Sequence, residues 1–232
     1  MRTSFWTKLL DVVSPRSCPV CGRRLSPGEQ VLCAACHLHL SLTHFECSPL
    51  DNPMARLFWG QFPVERAAAF FYYYPQAPHS QLIYDLKYHS MPEIGEALGG
   101  MAARQFAAQG FFDGIDALLP VPITRRRQWQ RGYNQSHTIA QGVRSVTGLP
   151  IYNNVLRRVS FKQSQTTQHA RERMLNVEDA FCLKDGSGLE GKHVLLIDDI
   201  VTTGATVIAC GRSLAAIPGI RVSVMSLGLT KG

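Results

Sequence analysis

Apolar residues along most of this chain fall into two kinds of segment, which alternate. Short apolar runs bounded by glycine, proline or polar residues are typical of buried strands, and longer runs with apolar residues three and four positions apart predict helices. Strands are predicted at 67–74, 115–121, 191–198 and 220–227, the last with an alternating pattern. Helices are predicted at 79–89, 92 to about 109, 135–146 and 205–216. The alternation predicts an α/β fold, a parallel sheet flanked by helices.

The segment from Val194 to Thr206 is the most informative one. Four apolar residues are followed by the adjacent acids Asp198 and Asp199, then by two more apolar residues and a turn rich in threonine and glycine. This order predicts a buried strand ending in the acids, a tight loop, and a helix that begins near Ala205. Ligands of parallel α/β sheets bind at the carboxyl ends of strands, so we expect a ligand site here.

The residue types at this site divide the expected ligand into two parts. Backbone N–H groups at a helix N-terminus and the hydroxyls between Thr202 and Thr206 suit a phosphate, and Gly204 lets the backbone approach it closely. Two carboxylates would repel that phosphate, so they suit ribose hydroxyls or a cation near the sugar. The alternative is that Asp199 or a threonine only caps the helix, which explains one polar residue but not two adjacent acids.

Two basic segments lie between the predicted strands. The first follows the strand at 115–121 and would bind pyrophosphate or a nucleic-acid backbone, or else form a solvated loop; it contains Arg125, Arg126, Arg127, Trp129, Arg131 and Tyr133. The second, 155–174, lacks apolar periodicity between residues 160 and 173. That pattern is typical of a mobile loop that closes over a charged ligand, or of a plain surface loop.

The N-terminal part of the chain is rich in cysteine. Cys18, Cys21, Cys33 and Cys36 form two Cys-x-x-Cys turns, and two such turns close a tetrahedral site with four sulfur ligands. We predict a structural zinc ion, since this site has no open position for catalysis and a small segment needs the metal to fold. Cys33 to His37 also matches a c-type haem attachment motif, but no export signal is visible. A thioredoxin-like redox pair would need a βαβ context, which is absent here.

Charge and hydropathy limit the class of protein. The net charge of +7 and a pI near 9.2 favour polyanionic partners, either nucleic acid or a polyphosphate metabolite. A hydrophobic content of 45% argues against disorder. No apolar stretch of about 18 residues exists, so we expect no membrane span and a cytoplasmic protein. Residues 5–13 are too short and polar for a secretory signal, and we expect an amphipathic helix that packs on its own domain or rests on a membrane or partner.

The predicted organisation has three parts. These are an N-terminal helix with a zinc ribbon at 1–46, an irregular, proline-marked connector at 47–65, and an α/β domain at 66–232. Cys47 stands alone, whereas Cys182 and Cys210 are predicted to be buried in the domain. His37 and His39 are predicted to lie on the surface of a helix after the second cysteine turn.

The segment with the two acids resembles the phosphoribosyl-pyrophosphate (PRPP) signature of type I phosphoribosyltransferases. That signature has an apolar strand, two acids, two apolar residues and a Thr-Gly turn, and all of these are present here. The resemblance implies that Asp198 and Asp199 hold the ribose hydroxyls of PRPP. It also implies a 5′-phosphate site at Thr202, Thr203, Gly204, Ala205 and Thr206. Thr202 departs from the purine-salvage enzymes, which have an acid there that acts as general base.

The order of motifs along the chain resembles the ComF family of competence proteins. The motifs are the cysteine turns, Leu86-Lys87-Tyr88, Pro120-Val121-Pro122, Arg131-Gly132-Tyr133-Asn134-Gln135, the positions Arg157, Gln165, Arg171, Asn176 and Phe181, and the PRPP signature. The resemblance implies a type I phosphoribosyltransferase fold with a zinc ribbon, and a part in handling incoming single-stranded DNA. Many family members carry a second pair of cysteine turns, of which only Cys47 would remain here.

The resemblance also implies roles for two loops. Pro122 and Arg131 would bind the pyrophosphate of PRPP, which brings Mg²⁺ with it, and a flexible loop would supply Arg157, Lys162 and Arg171 as candidate catalytic residues. The predicted function is transfer or recognition of a 5-phosphoribosyl group. The alternative is a non-catalytic protein that binds PRPP and nucleic acid, with protein partners, during uptake of single-stranded DNA.

Overall fold

A computed structural model describes residues 16–159 and 181–231 of the chain. Its strands are β1 Val64–Tyr73, β2 Ala117–Pro120, β3 Leu156–Arg158, β4 Phe181–Leu183, β5 His193–Val201 and β6 Arg221–Thr230. Its helices are α1 Ala34–Leu38, α2 Pro53–Arg56, α3 Ser80–Tyr88, α4 Pro92–Ala107, α5 Arg125–Arg131, α6 Gln135–Thr147 and α7 Ala205–Leu214, with a 3-10 helix at Phe45–Cys47. The helix predicted at 5–13 lies outside the described residues.

Four strands form one parallel sheet in the order β1-β6-β5-β2. The order confirms the predicted α/β class and puts β5 and β6 at the centre. The prediction that the last strand alternates is wrong, because every residue from Val222 to Leu229 is buried. A central strand of a parallel sheet is covered on both faces, so its sequence is apolar at consecutive positions.

Helices α4 and α6 pack with their backbones in close contact. A Cβ atom on Gly142 would lie 2.1 Å from the Glu96 carbonyl oxygen, so only glycine permits this approach. At the N-terminus of α6, the Asn134 side chain donates to the Val121 carbonyl at 3.0 Å and accepts from the Ser136 N–H at 3.1 Å. These contacts attach the start of α6 to the loop after β2.

The first basic segment is a helix, α5, and not a solvated loop, which was the alternative interpretation of its sequence. The Thr124 hydroxyl accepts from the Arg127 N–H at 3.2 Å and caps the first turn. Gly132 ends the helix with a φ of 79°. The arginines and glutamines between these two signals are good helix formers, which explains the difference. The connector likewise contains α2, which Asn52 caps.

The second basic segment begins as a strand. Residues 156–158 form β3 and pair antiparallel with β4, so that Arg158 lies opposite Phe181. Residues 160–180 lie outside the described residues, and Lys162 and Arg171 are among them. Residues 156–158 therefore form a strand, where a loop is predicted over 155–174.

The cysteine-containing segment packs directly on the α/β domain. Leu40 and Phe45 are buried, and the Phe45 ring lies 5.7 Å from the Tyr72 ring in an edge-on contact. The Tyr72 N–H donates to the Ser41 carbonyl at 2.8 Å, which joins the segment to β1. Within 16–159 and 181–231, none of the helices has the length and hydropathy of a membrane span.

Candidate functional site

The acid pair lies at the carboxyl end of the central strand β5. Asp198 and Asp199 belong to the strand, which continues to Val201, and both side chains are only partly accessible. The Asp198 carboxylate accepts from the Asp199 N–H at 2.9 Å and from the Ser136 hydroxyl at 3.3 Å. The first turn of α6 therefore helps to orient Asp198.

The surroundings of Asp198 disfavour its negative charge. Burial and the adjacent Asp199 carboxylate raise the pKa of Asp198 to about 7, and the hydrogen bonds from the Asp199 N–H and the Ser136 hydroxyl only partly oppose this. An anion placed beside both carboxylates would add to the repulsion. Vicinal sugar hydroxyls would relieve it, since they donate hydrogen bonds to carboxylate oxygens.

Lys87 is a charged residue of this site to which the sequence analysis assigns no role. Its Nζ lies 3.1 Å from Asp199 Oδ1, and the two side chains are 22% and 14% exposed. Lys87 lies in the last turn of α3, where the Tyr133 hydroxyl donates a hydrogen bond to the Leu86 carbonyl. The family motif Leu86-Lys87-Tyr88 marks this lysine in the sequence, but it does not show that the side chain reaches Asp199.

A small pocket lies where β5 passes into α7. Its volume is about 60 Å³, and it is lined by Asp198 and by residues 200–207. This volume is about the share of two water molecules in the liquid, so it suits one phosphate group and not a nucleotide. The first N–H groups of α7 have no partner within the helix and carry the positive end of its dipole, and the first turn contains no acid. The pocket has the size and polarity of a phosphate site.

Gly204 determines the shape of this pocket. It is the N-cap of α7 and has a φ of 78°, a conformation that glycine adopts without strain. A Cβ atom on Gly204 would lie 3.0 Å from the Phe58 ring. A larger residue would therefore displace the N–H groups of Ala205 and Thr206.

The loop after β2 runs beside the acid pair, since Pro120 is paired with Ile197 in the sheet. At the far end of α5, Arg131 donates to Gln135 Oε1 at 2.8 Å, and its guanidinium lies 5.5 Å from the centroid of the Tyr88 ring. These contacts hold Arg131 against the end of α3, next to Lys87. Pro122 lies in the loop itself, and it also lines a larger cavity.

Arg157 is the one candidate catalytic residue that lies within the described residues, and it is exposed on β3. Its neighbour Arg158 is half-buried, 5.2 Å from the centroid of the Phe181 ring. Burial and the nearby Arg127 lower the pKa of Arg158, while the charge of Asp198 opposes that shift. The sequence alone did not distinguish Arg158 from the other arginines of this segment.

The four cysteines predicted as metal ligands lie together. The sulfur atoms of Cys18, Cys21, Cys33 and Cys36 are all within 4.8 Å of one another. A tetrahedron with Zn–S bonds of about 2.3 Å has sulfur atoms about 3.8 Å apart, so this cluster fits a metal such as zinc. Hydrogen bonds, first that from the Cys36 N–H, lower the pKa of Cys33 to about 6, whereas burial and the neighbouring thiols raise that of Cys36.

The other cysteines lie apart from this cluster. Cys210 is buried, as predicted, and Cys47 is exposed. Cys182 is half-exposed on the short strand β4, so the prediction that it is buried is wrong. His37 and His39 do not belong to the metal cluster. His37 is half-buried on α1, which begins at Ala34 inside the second cysteine turn, and His39 is exposed just after that helix.

Comparison with known proteins extends this description. The phosphoribosyl transferase domain family matches residues 138–224. The DNA utilization protein YhgH of Escherichia coli (strain K12) is 30% identical over 194 residues, 82% of this chain and 80% of that protein. Competence protein F of Haemophilus influenzae is 36% identical over 92 residues, 39% of this chain and 40% of that protein. Competence protein ComFC of Bacillus subtilis is 36% identical over 97 residues, 42% of this chain and 37% of that protein. This chain belongs to the ComF family.

This ComF protein has a type I phosphoribosyltransferase-like domain, in which a parallel sheet is flanked by helices, and a cysteine cluster N-terminal to it. The matched segment covers most of α6 and all of β5 and α7, the elements beside the acid pair and the small pocket. The family assignment and the geometry of the site therefore concern the same part of the chain.

Proposed function

We propose that this ComF protein binds PRPP at the carboxyl ends of β2 and β5 and transfers or recognises its 5-phosphoribosyl group. The observation that carries the proposal is one pocket of about 60 Å³ with the Asp198 carboxylate on its wall and the N-terminus of α7 at its base. A sugar phosphate combines the two chemistries that this pocket joins, hydroxyl donors for the carboxylates and a phosphate for the helix N-terminus.

Each part of PRPP has a matching group in the chain. The 5′-phosphate would bind the N–H groups and hydroxyls from Thr202 to Thr206, and the ribose hydroxyls would donate to Asp198 and Asp199. The pyrophosphate would lie toward Pro122 and Arg131. Mg²⁺ would arrive on the pyrophosphate, since it keeps water and phosphate oxygens as ligands. The positive charge of Lys87 would offset the acid pair as the anionic ligand approaches.

In a transfer reaction, the bond between ribose C1 and the pyrophosphate oxygen breaks and its electron pair leaves with pyrophosphate, while the acceptor bonds to C1. Basic side chains near the leaving group, Arg131 and Arg158, would stabilise its charge. The hydroxyl of Thr202 stands where a purine-salvage enzyme has a carboxylate. A general base there would contribute about 10²–10⁴-fold, so we expect turnover to depend on an acceptor that is already strongly nucleophilic.

Isothermal titration of the full chain with PRPP and Mg²⁺ tests the proposed site. The variant Asp198→Asn with Asp199→Asn should bind about 100-fold more weakly, because each carboxylate hydrogen bond contributes about 1.5–3 kcal/mol. The control Glu65→Gln with Glu96→Gln removes two exposed acids elsewhere and should bind like the parent protein. Unchanged affinity in the first variant would contradict the site. An assay of pyrophosphate release from PRPP with a library of acceptors distinguishes transfer of the 5-phosphoribosyl group from its recognition.

We propose that the four-cysteine cluster holds a structural zinc ion. Four sulfur ligands leave no open coordination position, so the metal would stabilise the segment without taking part in chemistry. Metal analysis of the purified protein tests this, with one zinc per chain as the expected result.

Binding of single-stranded DNA is a second proposed function, and the exposed side of α5 favours it. Trp129 is 87% exposed among the arginines of α5, where it would stack on a base while the arginines contact phosphates. Relatives named for DNA utilization and competence support a role in DNA uptake, with protein partners. We expect labelled oligo(dT) to bind with an affinity that falls steeply as salt increases.

A matched pair of variants tests this second function. Trp129→Ala with Arg127→Ala should weaken oligo(dT) binding at least about tenfold, since base stacking contributes about 1–3 kcal/mol. The control is Trp59→Ala with Arg56→Ala, because Trp59 is 52% exposed and also lies beside an arginine, 5.9 Å from its ring centroid. Equal effects of the two variants, or no binding at low salt, would refute a nucleic-acid surface on α5.

A further inference from the structure

The connector at 47–65 lies directly against the proposed phosphate site. A Cβ atom on Gly204 would lie 3.0 Å from the Phe58 ring and 3.6 Å from Leu57 Cβ, so both residues contact the N-cap of α7. Phe58 is fully buried, and it is not among the residues that line the phosphate pocket. The ring therefore supports the turn at Gly204 from outside the pocket and would not touch a bound phosphate.

A second phenylalanine of the connector packs further along the same helix. A Cβ atom on Gly211 would lie 2.6 Å from the Phe62 ring, so this ring contacts the second half of α7. The centroids of the Phe58 and Phe62 rings are 5.7 Å apart. The Gly211 carbonyl accepts from the Ala215 N–H at 2.9 Å. Two similar rings thus support one helix, the first at its N-terminus and the second well away from the pocket.

The connector is itself attached to the parallel sheet. The buried Asn52 side chain donates to the Ala67 carbonyl of β1 at 2.8 Å, and it accepts from the Met54 N–H at 3.0 Å, which caps α2. The sulfur of Met54 lies 3.8 Å from the Ser226 hydroxyl of β6. Because α2 is fixed on β1 and β6, Phe58, which follows it closely in the chain, has a defined position against α7.

The support matters because Gly204 has no side chain of its own. Its φ of 78° is one of several conformations open to glycine, and fixing a glycine backbone costs more entropy than fixing any other. The Gly204 carbonyl accepts from the Ile208 N–H at 2.9 Å, which is the first hydrogen bond of α7. The direction of the next two N–H groups, those of Ala205 and Thr206, follows from this one conformation.

We propose that Phe58 is a positioning residue of the sugar-phosphate site, which holds Gly204 in the conformation that directs the N–H groups of Ala205 and Thr206 into the pocket. The inference rests on the proposed PRPP site and extends that site to the connector. The connector lies outside residues 138–224, which match the phosphoribosyl transferase domain family. Affinity for a 5′-phosphate thus depends on a part of the chain that the family match does not include.

Titration with ribose 5-phosphate, which carries the sugar and the 5′-phosphate without the pyrophosphate, tests this role. Phe58→Leu should weaken its binding at least about tenfold, because misdirected N–H groups lose charge-assisted hydrogen bonds. The control Phe62→Leu removes the same ring from the same segment. It should lower the melting temperature about as much, yet bind within about twofold of the parent protein. If Phe58→Leu does not fold, Phe58→Met, which keeps most of the volume without the ring, takes its place.

Amide hydrogen exchange of the free protein gives a second measurement, which needs no ligand. Phe58→Leu should speed exchange at the Ile208 N–H, whose acceptor is the supported glycine, and leave the Ala215 N–H unchanged. Phe62→Leu should do the reverse. A general loss of stability would instead speed exchange at both amides in both variants.

The outcomes separate this role from the proposed PRPP site. If the parent protein does not bind ribose 5-phosphate, the site and the positioning role fail together. If the parent protein binds it and the variant Asp198→Asn with Asp199→Asn binds more weakly, the site stands and Phe58 is judged alone. Unchanged affinity in Phe58→Leu, an equal loss in Phe62→Leu, or equal exchange at Ile208 in these two variants then overturns the positioning role.

Discussion

Replacing Asp198 by asparagine should weaken sugar-phosphate binding and at the same time make this ComF protein more stable. Asparagine keeps an oxygen that can accept from the Asp199 N–H and the Ser136 hydroxyl, which the aspartate accepts from at 2.9 Å and 3.3 Å. It removes the negative charge that lies against Asp199. A residue that only capped a helix would show the opposite result, a loss of stability on substitution.

The pKa of Asp198 gives the size and the pH dependence of this gain. The pKa is raised from 3.8 to about 7 in the folded protein, so between those values the unfolded chain releases a proton that the folded protein keeps. The charged carboxylate therefore lowers stability, slightly near pH 4 and fully above about pH 7. About three pKa units correspond to at most about 4 kcal/mol. We expect Asp198→Asn to raise the free energy of unfolding by about 2 kcal/mol at pH 8, below that maximum because water reaches the side chain. At pH 5 the gain should be less than half of that.

Urea unfolding of the parent protein and of Asp198→Asn at pH 5 and pH 8 measures the difference. Asp199→Asn is the comparison. It removes the same repulsion but leaves the ammonium group of Lys87 partly buried without its partner, so its gain in stability at pH 8 should be smaller than that of Asp198→Asn. If Asp198→Asn is no more stable than the parent protein at pH 8, or gains equally at both pH values, the electrostatic account of the acid pair is refuted.

Three further predictions concern Lys87, Gly204 and the metal. Lys87→Met should weaken the binding of PRPP about tenfold more than it weakens the binding of ribose 5-phosphate, and Lys87→Arg should bind both ligands with an affinity close to that of the parent protein. An equal loss of affinity for the two ligands, measured by calorimetry, would limit Lys87 to a structural role. Gly204→Ala should lower the free energy of unfolding by about 1 kcal/mol or more and weaken ribose 5-phosphate binding, because the φ of 78° and the Phe58 ring both oppose a side chain. A variant with unchanged binding would show that the loop tolerates a Cβ. Cys36→Ser should reduce bound zinc from one per chain to none and lower the melting temperature, and a chelator should do the same to the parent protein; a melting temperature that does not change would contradict a structural metal.

Local sequence was enough to place β5 and α7. The apolar run before Asp198 and the Thr-Gly turn after it describe a strand, a loop and a helix within one short segment, and α7 begins at the predicted residue, Ala205. The cysteine turns are equally local, and their four sulfur atoms lie together. The α5 segment is helical because Thr124 caps its start and Gly132 ends it, two local signals that its charged and aromatic residues obscure.

The sequence by itself determined the central strand with its acids, the helix N-terminus that follows it and the clustering of four cysteines, because each depends on neighbours within a few turns of chain. Only the tertiary structure decided that Lys87 reaches Asp199, that Arg158 is half-buried against Phe181 while Arg157 is exposed, and that basic residues of α5 and β3, with Lys184, line one cavity. Those contacts join elements that are distant in the chain, and their distances follow from how the helices and the β3–β4 pair pack around the parallel sheet, which no local pattern encodes.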